Sequence, residues 1–409
     1  MKATSAMPRS GLHAISAVLL TLVLLAQPGG SRASQAPNTL PAPLRAADNH
    51  LRNLEYDAAS RLFREWLGQH PDDLYAWNYL AVTTLCGEMF RRGVLETKIY
   101  GQGGEAFKPS KVPVTPEFQQ ELLSILERAQ AIADQRLAKD PQDKEAMYWA
   151  GAAHGTRATY HFSLRREFKN ALREADAAYK HHKQLVALDP NYVDAYLVLG
   201  VNNYVVGSLP WYWKVVAKLT GRSGDTEEGL RQVKRVVEHG HYAREDAKLM
   251  LAVLYEREKM YAAALALFQE MARSYPRNYL MLQEVASLHG QLNNWQQASA
   301  VYDSILAKYR AGERGYTNIP LARVLYHAGQ AHERLKESEL ALAHYDECSH
   351  LNGKDVLIYR CELSAADIET RLNRPEAARQ RYQHVLEAVP NSEEAKLAKK
   401  ALKKLQKET

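Results

Sequence analysis

His344, Cys348 and His350 fall close together near the C-terminal end, at spacings a helix can turn to one side. Imidazole and thiolate groups four residues apart share a helix face and can hold a borderline-soft divalent cation. The same residues also read as packing, with Cys348 turned inward and His350 at a helix end, and this reading is taken, with no metal and no cofactor expected. His181-His182 and His239-Gly240-His241 read as exposed or helix-end residues. No Ser, Cys or His stands beside a base visible in sequence, and phosphate-loop, HExxH, GxSxG and acidic metal patterns are absent. The chain reads as a non-enzyme.

The other conspicuous chemistry is aromatic. Residues 200–225, "GVNNYVVGSLPWYWKVVAKLTGRSGD", interrupt a long run of helix-forming sequence. Ser208 is placed to cap a helix beginning near Pro210, and Gly221 to end it. Such a helix is apolar except for the stripe of Lys214 and Lys218. Asp225-Thr226-Glu227-Glu228 then resembles a capping box for a helix through about Glu238. Three roles are open to the insert: a plug of a widened gap, the wall of a ligand site beside Asn202 and Asn203, or an interfacial membrane anchor.

What positions these residues is a repeat. Residues Glu245 to Asn278 form a unit of 34, with Leu251, Ala252 and Tyr255 in its first half and Tyr261, Ala264, Phe268 and Pro276 around its second. This resembles the tetratricopeptide repeat (TPR), in which a small residue lets two antiparallel helices approach, an aromatic fills the wedge to the next repeat, and proline ends the second helix. The scheme recurs downstream through Val285, Ala286, Trp295, Ala298 and Tyr302, then Ala328-Gly329, Ala341 and Tyr345, then Ala365-Ala366, Ala378, Tyr382 and Pro390. Upstream, Ala59, Phe63 and Pro71 close a first repeat, Trp77, Leu80 and Ala81 open a second, Ala129 and Pro141 close a third, Gly151 to Pro190 form a fourth, and Tyr196, Leu199 and Gly200 open a fifth. The resemblance implies an all-α, right-handed α-solenoid of about eight helix pairs, with one inserted short helix near 210–220.

Proline spacing locates the irregularities. Pro141 and Pro190 are 49 residues apart, an excess of 15 over one repeat, which predicts two helices each longer by about two turns. Pro190 and Pro276 are 86 apart, an excess of 18 over two repeats, and it falls on the aromatic insert. Residues 87–116, rich in Gly and Pro, read as a loop replacing part of a helix. The expected organisation is a signal peptide over 1–33, a flexible segment over 34–43, an irregular array over 44–244 with insertions at 87–116 and 207–225, a regular array over 245–392, and a Lys-rich capping helix over 393–409. A more local likeness, over about 196–290 and carried by "GSLP…GRSGDTEEGL", is to a eukaryotic TPR family linked to the mitochondrial outer membrane and clearance of lipid-associated protein inclusions.

TPR stacks bind through the face lined by each repeat's first helix. Here that face receives Tyr148, Trp149, Asn202, Asn203, Gln283, Ser287, Tyr326, His327, Gln330 and Arg334, with Trp211 and Trp213 from the insert. Amides for a peptide backbone and rings for its side chains suit an extended protein segment, although solvated polar positions would look the same. The Lys and Asn clamp of chaperone-tail binders is replaced by Leu249, Gln283 and Tyr326.

Lys2 and Arg9, an apolar run from Ala14 to Ala26, and Ser31-Arg32-Ala33 read as a secretory signal cleaved after Ala33. Its loss lowers the net charge from +6 to +3, which gives no footprint for nucleic acid. Of three cysteines, Cys348 and Cys361 could pair, but buried free thiols are the reading taken, and Cys86 has no partner in view. The expected function is an exported, periplasmic or extracellular scaffold that binds protein or peptide in a cell-envelope assembly. The alternatives are a peripheral membrane protein using the Trp211 helix and the Lys-rich tail, or an accessory subunit with a small-molecule site near Trp211–Trp213.

Overall fold

Short polar side chains begin helices by accepting the first free backbone N–H groups. Asp73, Thr115, Asp143, Asp225, Asn278 and Asp355 do this for the N–H groups of Ala76, Phe118, Ala146, Glu228, Leu280 and Leu357. A computed structural model describes residues 40–95, 113–210, 212, 214, 223–353 and 355–408. The fold is all-α, without a strand among the described residues. Residues 1–39, where a signal peptide and a flexible segment were expected, and most of residues 87–116 and of the aromatic insert lie outside the described residues.

The chain divides into two compact units, residues 1–275 and 276–409. In the first, antiparallel pairs are formed by α1 (Ala42–Arg52) with α2 (Tyr56–Gln69), α3 (Leu74–Arg91) with α4 (Pro116–Lys139), α5 (Lys144–Tyr160) with α6 (Phe168–Leu188), α7 (Tyr196–Gly207) with α8 (Thr226–His239), and α9 (Arg244–Arg257) with α10 (Tyr261–Ser274). In the second, α11 (Tyr279–Gln291) pairs with α12 (Trp295–Arg310), α13 (Leu321–Arg334) with α14 (Ser338–Ser349), and α15 (Val356–Arg371) with α16 (Pro375–Ala388). Helix α17 (Glu393–Glu408) buries Ala395, Ala398 and Leu405 against the last pair and leaves Lys396, Lys399, Lys400, Lys403 and Lys404 exposed. It caps the second unit as its amphipathic pattern demands. The small and aromatic repeat positions Ala264, Phe268, Ala341, Tyr345 and Ala378 are all completely buried.

The turns between paired helices share a device. Leu54, Lys259, Asn293, Lys336 and Asn373 each adopt a left-handed backbone, with φ between 58° and 64°, in the turn joining the two helices of a pair. One left-handed residue reverses the chain in the space of a few bonds, and the register of these turns repeats the register of the pairs.

The repeat assignment in the first unit needs correcting. Trp77 and Ala129 belong to a single pair, α3–α4, so among the described residues one repeat stands where a second and a third were expected; residues 96–112, most of the Gly- and Pro-rich stretch, lie outside the described residues. Helix α3 runs through Arg91 because Met89 is buried, and Pro116 opens α4, where its missing N–H is harmless. Ser208 ends α7, and its hydroxyl donates to the Tyr204 carbonyl at 2.5 Å; most of the helix it was expected to cap lies outside the described residues. Tyr212 and Lys214 are helical, and the Lys214 N–H bonds the Pro210 carbonyl at 3.1 Å, so a helical turn does follow the proline.

The lengthened pair is present. Helix α5 has 17 residues and continues into a five-residue π-helix, His161–Arg165, while α6 has 21 residues, against 14 in α9 and in α10. Cys348 and Cys361, expected to be thiols, form a disulfide across α14 and α15 with Cα atoms 6.0 Å apart. Packing of the two helices supplies the short separation that a disulfide requires, and sequence spacing alone does not.

Candidate binding groove

In the first unit the opening helices of successive repeats converge on a cluster of rings. Tyr75 and Tyr79, one turn apart on α3, are centred 4.4 Å from each other. Trp149 of α5 meets Tyr75 edge-on at 5.6 Å, Tyr148 at 4.8 Å and Tyr242 at 5.1 Å. Edge-to-face geometry lets the positive rim of one ring address the negative face of the next. Tyr242 arrives on the short connection between α8 and α9, and Asp194 holds that connection in place: its Oδ1 accepts the N–H groups of His241 and Ala243, both at 2.8 Å.

Charge lies beneath the rings. Asp246 of α9 is 6% exposed, and its Oδ2 is 3.2 Å from the Tyr79 hydroxyl, which is also 3.3 Å from the Tyr242 carbonyl. Burial raises the Asp246 carboxyl well above the usual carboxylate range, against the opposing pull of Arg52. Arg52, itself buried, bonds Asp48 one turn earlier on α1 through Nε to Oδ2 at 2.5 Å. Burial also raises Asp194, with the two backbone N–H bonds working in the opposite direction. His182 of α6 is fully buried and its Nδ1 is 3.0 Å from the Ala178 carbonyl; burial lowers its pKa to about 4.

Between these groups is a cavity of about 60 Å³, lined by Asn78, Tyr79, Tyr148, Trp149, His182 and Asp246 among others. That is room for about four water-sized groups. Three of its lining side chains carry a buried polar atom with no partner in the protein: Asn78 Oδ1, Trp149 Nε1 and Asp246 Oδ1. Their residues are 2%, 3% and 6% exposed. Buried polar atoms are nearly always satisfied, so three unpartnered ones on residues that line one small cavity set it apart.

The residues expected on the binding face are distributed unevenly. Tyr148 and Trp149 belong to the cluster, but as buried walls. Asn203 donates to Gln232 of α8 at 3.0 Å, within its own repeat, and Asn202 is half-buried beside it on α7. Leu197 and Val198, not the asparagines, bring α7 to the cavity. Trp211 and Trp213 lie outside the described residues. In the second unit, Gln283 and Ser287 sit on α11, and Tyr326, His327, Gln330 and Arg334 on α13. His327 Nδ1 is 3.0 Å from Gln330 Oε1, Tyr326 lies at 6.1 Å from Tyr345, and the Arg334 guanidinium covers Trp295 at 5.5 Å. Asn78, Tyr79, Asp194 and Asp246 were not anticipated; the signal available was Tyr75 and Tyr79 at one-turn spacing, but Tyr79 and Asp246 are 167 residues apart.

Two family models match the sequence. Residues 114–294 match "Regulator of microtubule dynamics protein 1-3", which spans the local likeness noted over 196–290, and residues 44–83 and 286–348 match "Tetratricopeptide repeat". No curated protein matches. Among solved structures, similarity extends to yeast Tom70 (13% identity, covering 90% of this chain and 89% of that one, TM-score 0.36). It extends also to PilF of Pseudomonas aeruginosa (14%, 66% and 100%, TM-score 0.37) and the human IFIT1 dimer with m7Gppp-AAAA (12%, 98% and 87%, TM-score 0.39). At these scores the structural likenesses carry no argument about ligands.

Proposed function

We propose that this chain of tetratricopeptide repeats is an exported scaffold that holds a protein partner by an extended segment laid on the first-helix face of residues 40–275. The observation that carries this reading is the ring-lined cavity with Asn78 Oδ1, Trp149 Nε1 and Asp246 Oδ1 unpartnered. The amide oxygen of Asn78, the indole N–H of Trp149 and the carboxyl of Asp246 complement the N–H and C=O groups that a peptide segment brings, and rings give its side chains area at low entropic cost. The small volume suits one side-chain tip or one turn of backbone.

Export is supported by the N-terminal pattern of basic residues, apolar run and small-residue site, and by the disulfide, a bond that persists in oxidising compartments. A cell-envelope assembly is the setting this implies. The membrane alternative gains nothing from the tail's apolar side, which is packed in the second unit, although its exposed lysines remain available to anionic surfaces. No helix among the described residues is long and apolar enough to cross a membrane.

Affinity capture from the native envelope tests the proposal. The mature chain should recover a partner that the folded double variant Trp149→Phe/Asp246→Asn recovers at no more than about a tenth of the amount, the loss expected when two central contacts are removed. Equal recovery by both, or recovery of none by the folded wild type, overturns it.

A further inference from the structure

Three side chains from three consecutive helices of the second unit meet outside the groove. Asp303 comes from the middle of α12, His332 from the last turn of α13 and His344 from α14. His332 Nε2 is 3.1 Å from Asp303 Oδ2, and His344 Nε2 is 3.1 Å from Asp303 Oδ1. The imidazole rings are near-parallel with centroids 5.2 Å apart, and Asp303 Oδ1, a buried atom, has no hydrogen-bond donor in the protein although His344 Nε2 is near. One donor atom from each residue can be chosen so that all lie within 4.8 Å of one another.

The other nitrogen of His332 is also engaged: Nδ1 is 2.7 Å from Glu337 Oε2. A neutral imidazole has one N–H and one lone pair. With both nitrogens facing carboxylates, a neutral ring has a proton for only one of the two contacts, and a cation between Nε2 and Asp303 would satisfy the other. That arrangement is the one metalloproteins use: an outer carboxylate takes the Nδ1 proton, fixes the ring and leaves the Nε2 lone pair for the metal.

We propose that Asp303, His332 and His344 form a binding site for a divalent transition-metal ion of the zinc class, with Glu337 as the outer carboxylate that orients His332. Two imidazoles and a carboxylate are a donor set zinc accepts, and a water completes four-coordination. Ligand atoms around tetrahedral zinc stand about 3.3 Å apart, so the two Asp303–imidazole separations already lie near that spacing and modest side-chain rotation closes the rest. Access is provided on the Asp303 side, whose side chain is 42% exposed, while the imidazoles of His332 and His344 are 7% and 14% exposed. The site ties α12 to the following helix pair, so occupancy would stiffen the contact between two neighbouring repeats.

Untagged mature chain, with its disulfide intact and stripped by a chelator, should bind zinc ion in isothermal titration at one site per chain. Affinity should fall about tenfold or more in Glu337→Gln, and the site should be lost in Asp303→Asn and His344→Asn, the effects expected of an outer partner and of ligands. His384→Gln, a change at a surface histidine paired with Glu362, should bind as wild type does. Should a ligand variant fold poorly by circular dichroism, wild type alone decides: zinc should slow carbethoxylation of His344, read by mass spectrometry, and leave that of His384 unchanged. Absence of saturable zinc binding, equal affinity in folded ligand variants, or equal zinc protection of both histidines would show a purely ionic Asp–His cluster and overturn the proposal.

Discussion

Asp194 offers a sharp separation between an acceptor and a charge. Its Oδ1 is the shared acceptor for His241 and Ala243, and through them it fixes Tyr242 in the ring cluster. Asp194→Ala removes that acceptor, leaves the buried Ala243 N–H without a partner, and frees the connection before α9. A lost bond to a carboxylate and one stranded buried N–H together cost about 2–3 kcal/mol, with His241, which lies at the surface, recovering its share from water. Asp194→Asn keeps the oxygen and removes a carboxyl that burial disfavours in its charged form, so it should cost under about 1 kcal/mol. Because repeat arrays open in segments, the readout is amide exchange over 240–246 by mass spectrometry. The Ala variant should exchange about 30- to 150-fold faster there, and the Asn variant close to wild type. Unchanged exchange in Asp194→Ala would refute the argument, and so would an Asn variant as damaged as the Ala one, since that would make the charge and not the acceptor the source of order.

Other outcomes follow from the same structure. His182, with its folded pKa lowered from 6.5 to about 4, binds its proton later than the unfolded chain does. Stability of the first unit should therefore be full above pH 6.5 and decline by about 3 kcal/mol as pH falls toward 4; thermal melts of His182→Gln should lose that slope. Thiol titration should find no reactive cysteine in the native chain and one after unfolding without reductant, since Cys86 is buried and the other two are bonded. The double variant Cys348→Ser/Cys361→Ser should lose about 3 kcal/mol in the second unit by denaturant unfolding. Gly229→Ala would set a Cβ 2.5 Å from the Tyr204 nitrogen and 2.6 Å from the Gly200 carbonyl oxygen, forcing α7 and α8 apart at a cost of about 1–3 kcal/mol, measurable as a lowered melting temperature.

Local rules made the architecture readable. Ala264 and Phe268 are where a small and a large residue must sit for paired helices to close, and Asp225 caps α8 as its sequence indicates. Proline spacing revealed the long α5–α6 pair because helix length is additive along the chain. It misassigned Trp77 and Ala129, since a long connection inside a pair and a missing helix leave the same gap between prolines. The ring cluster was half legible: Tyr148 and Trp149 were singled out, but their burial depends on Tyr75, Tyr79 and Tyr242 arriving from helices far along the chain. His344 was noticed beside Cys348 and His350, its neighbours in sequence. Its partners in space are Asp303 and His332, which only the stacking of α12, α13 and α14 brings within reach.

The proposal that the first-helix face holds a partner is tested most directly by a photo-crosslinker at Thr156, a half-buried residue at the cavity, in the chain expressed in its native host. Irradiation should yield a discrete protein adduct that is greatly diminished by the added pair Trp149→Phe/Asp246→Asn and absent when the crosslinker is moved to Lys234 on the outer helix α8. A folded chain that forms no adduct from Thr156, or forms the same adducts from both positions, would contradict a partner bound on that face.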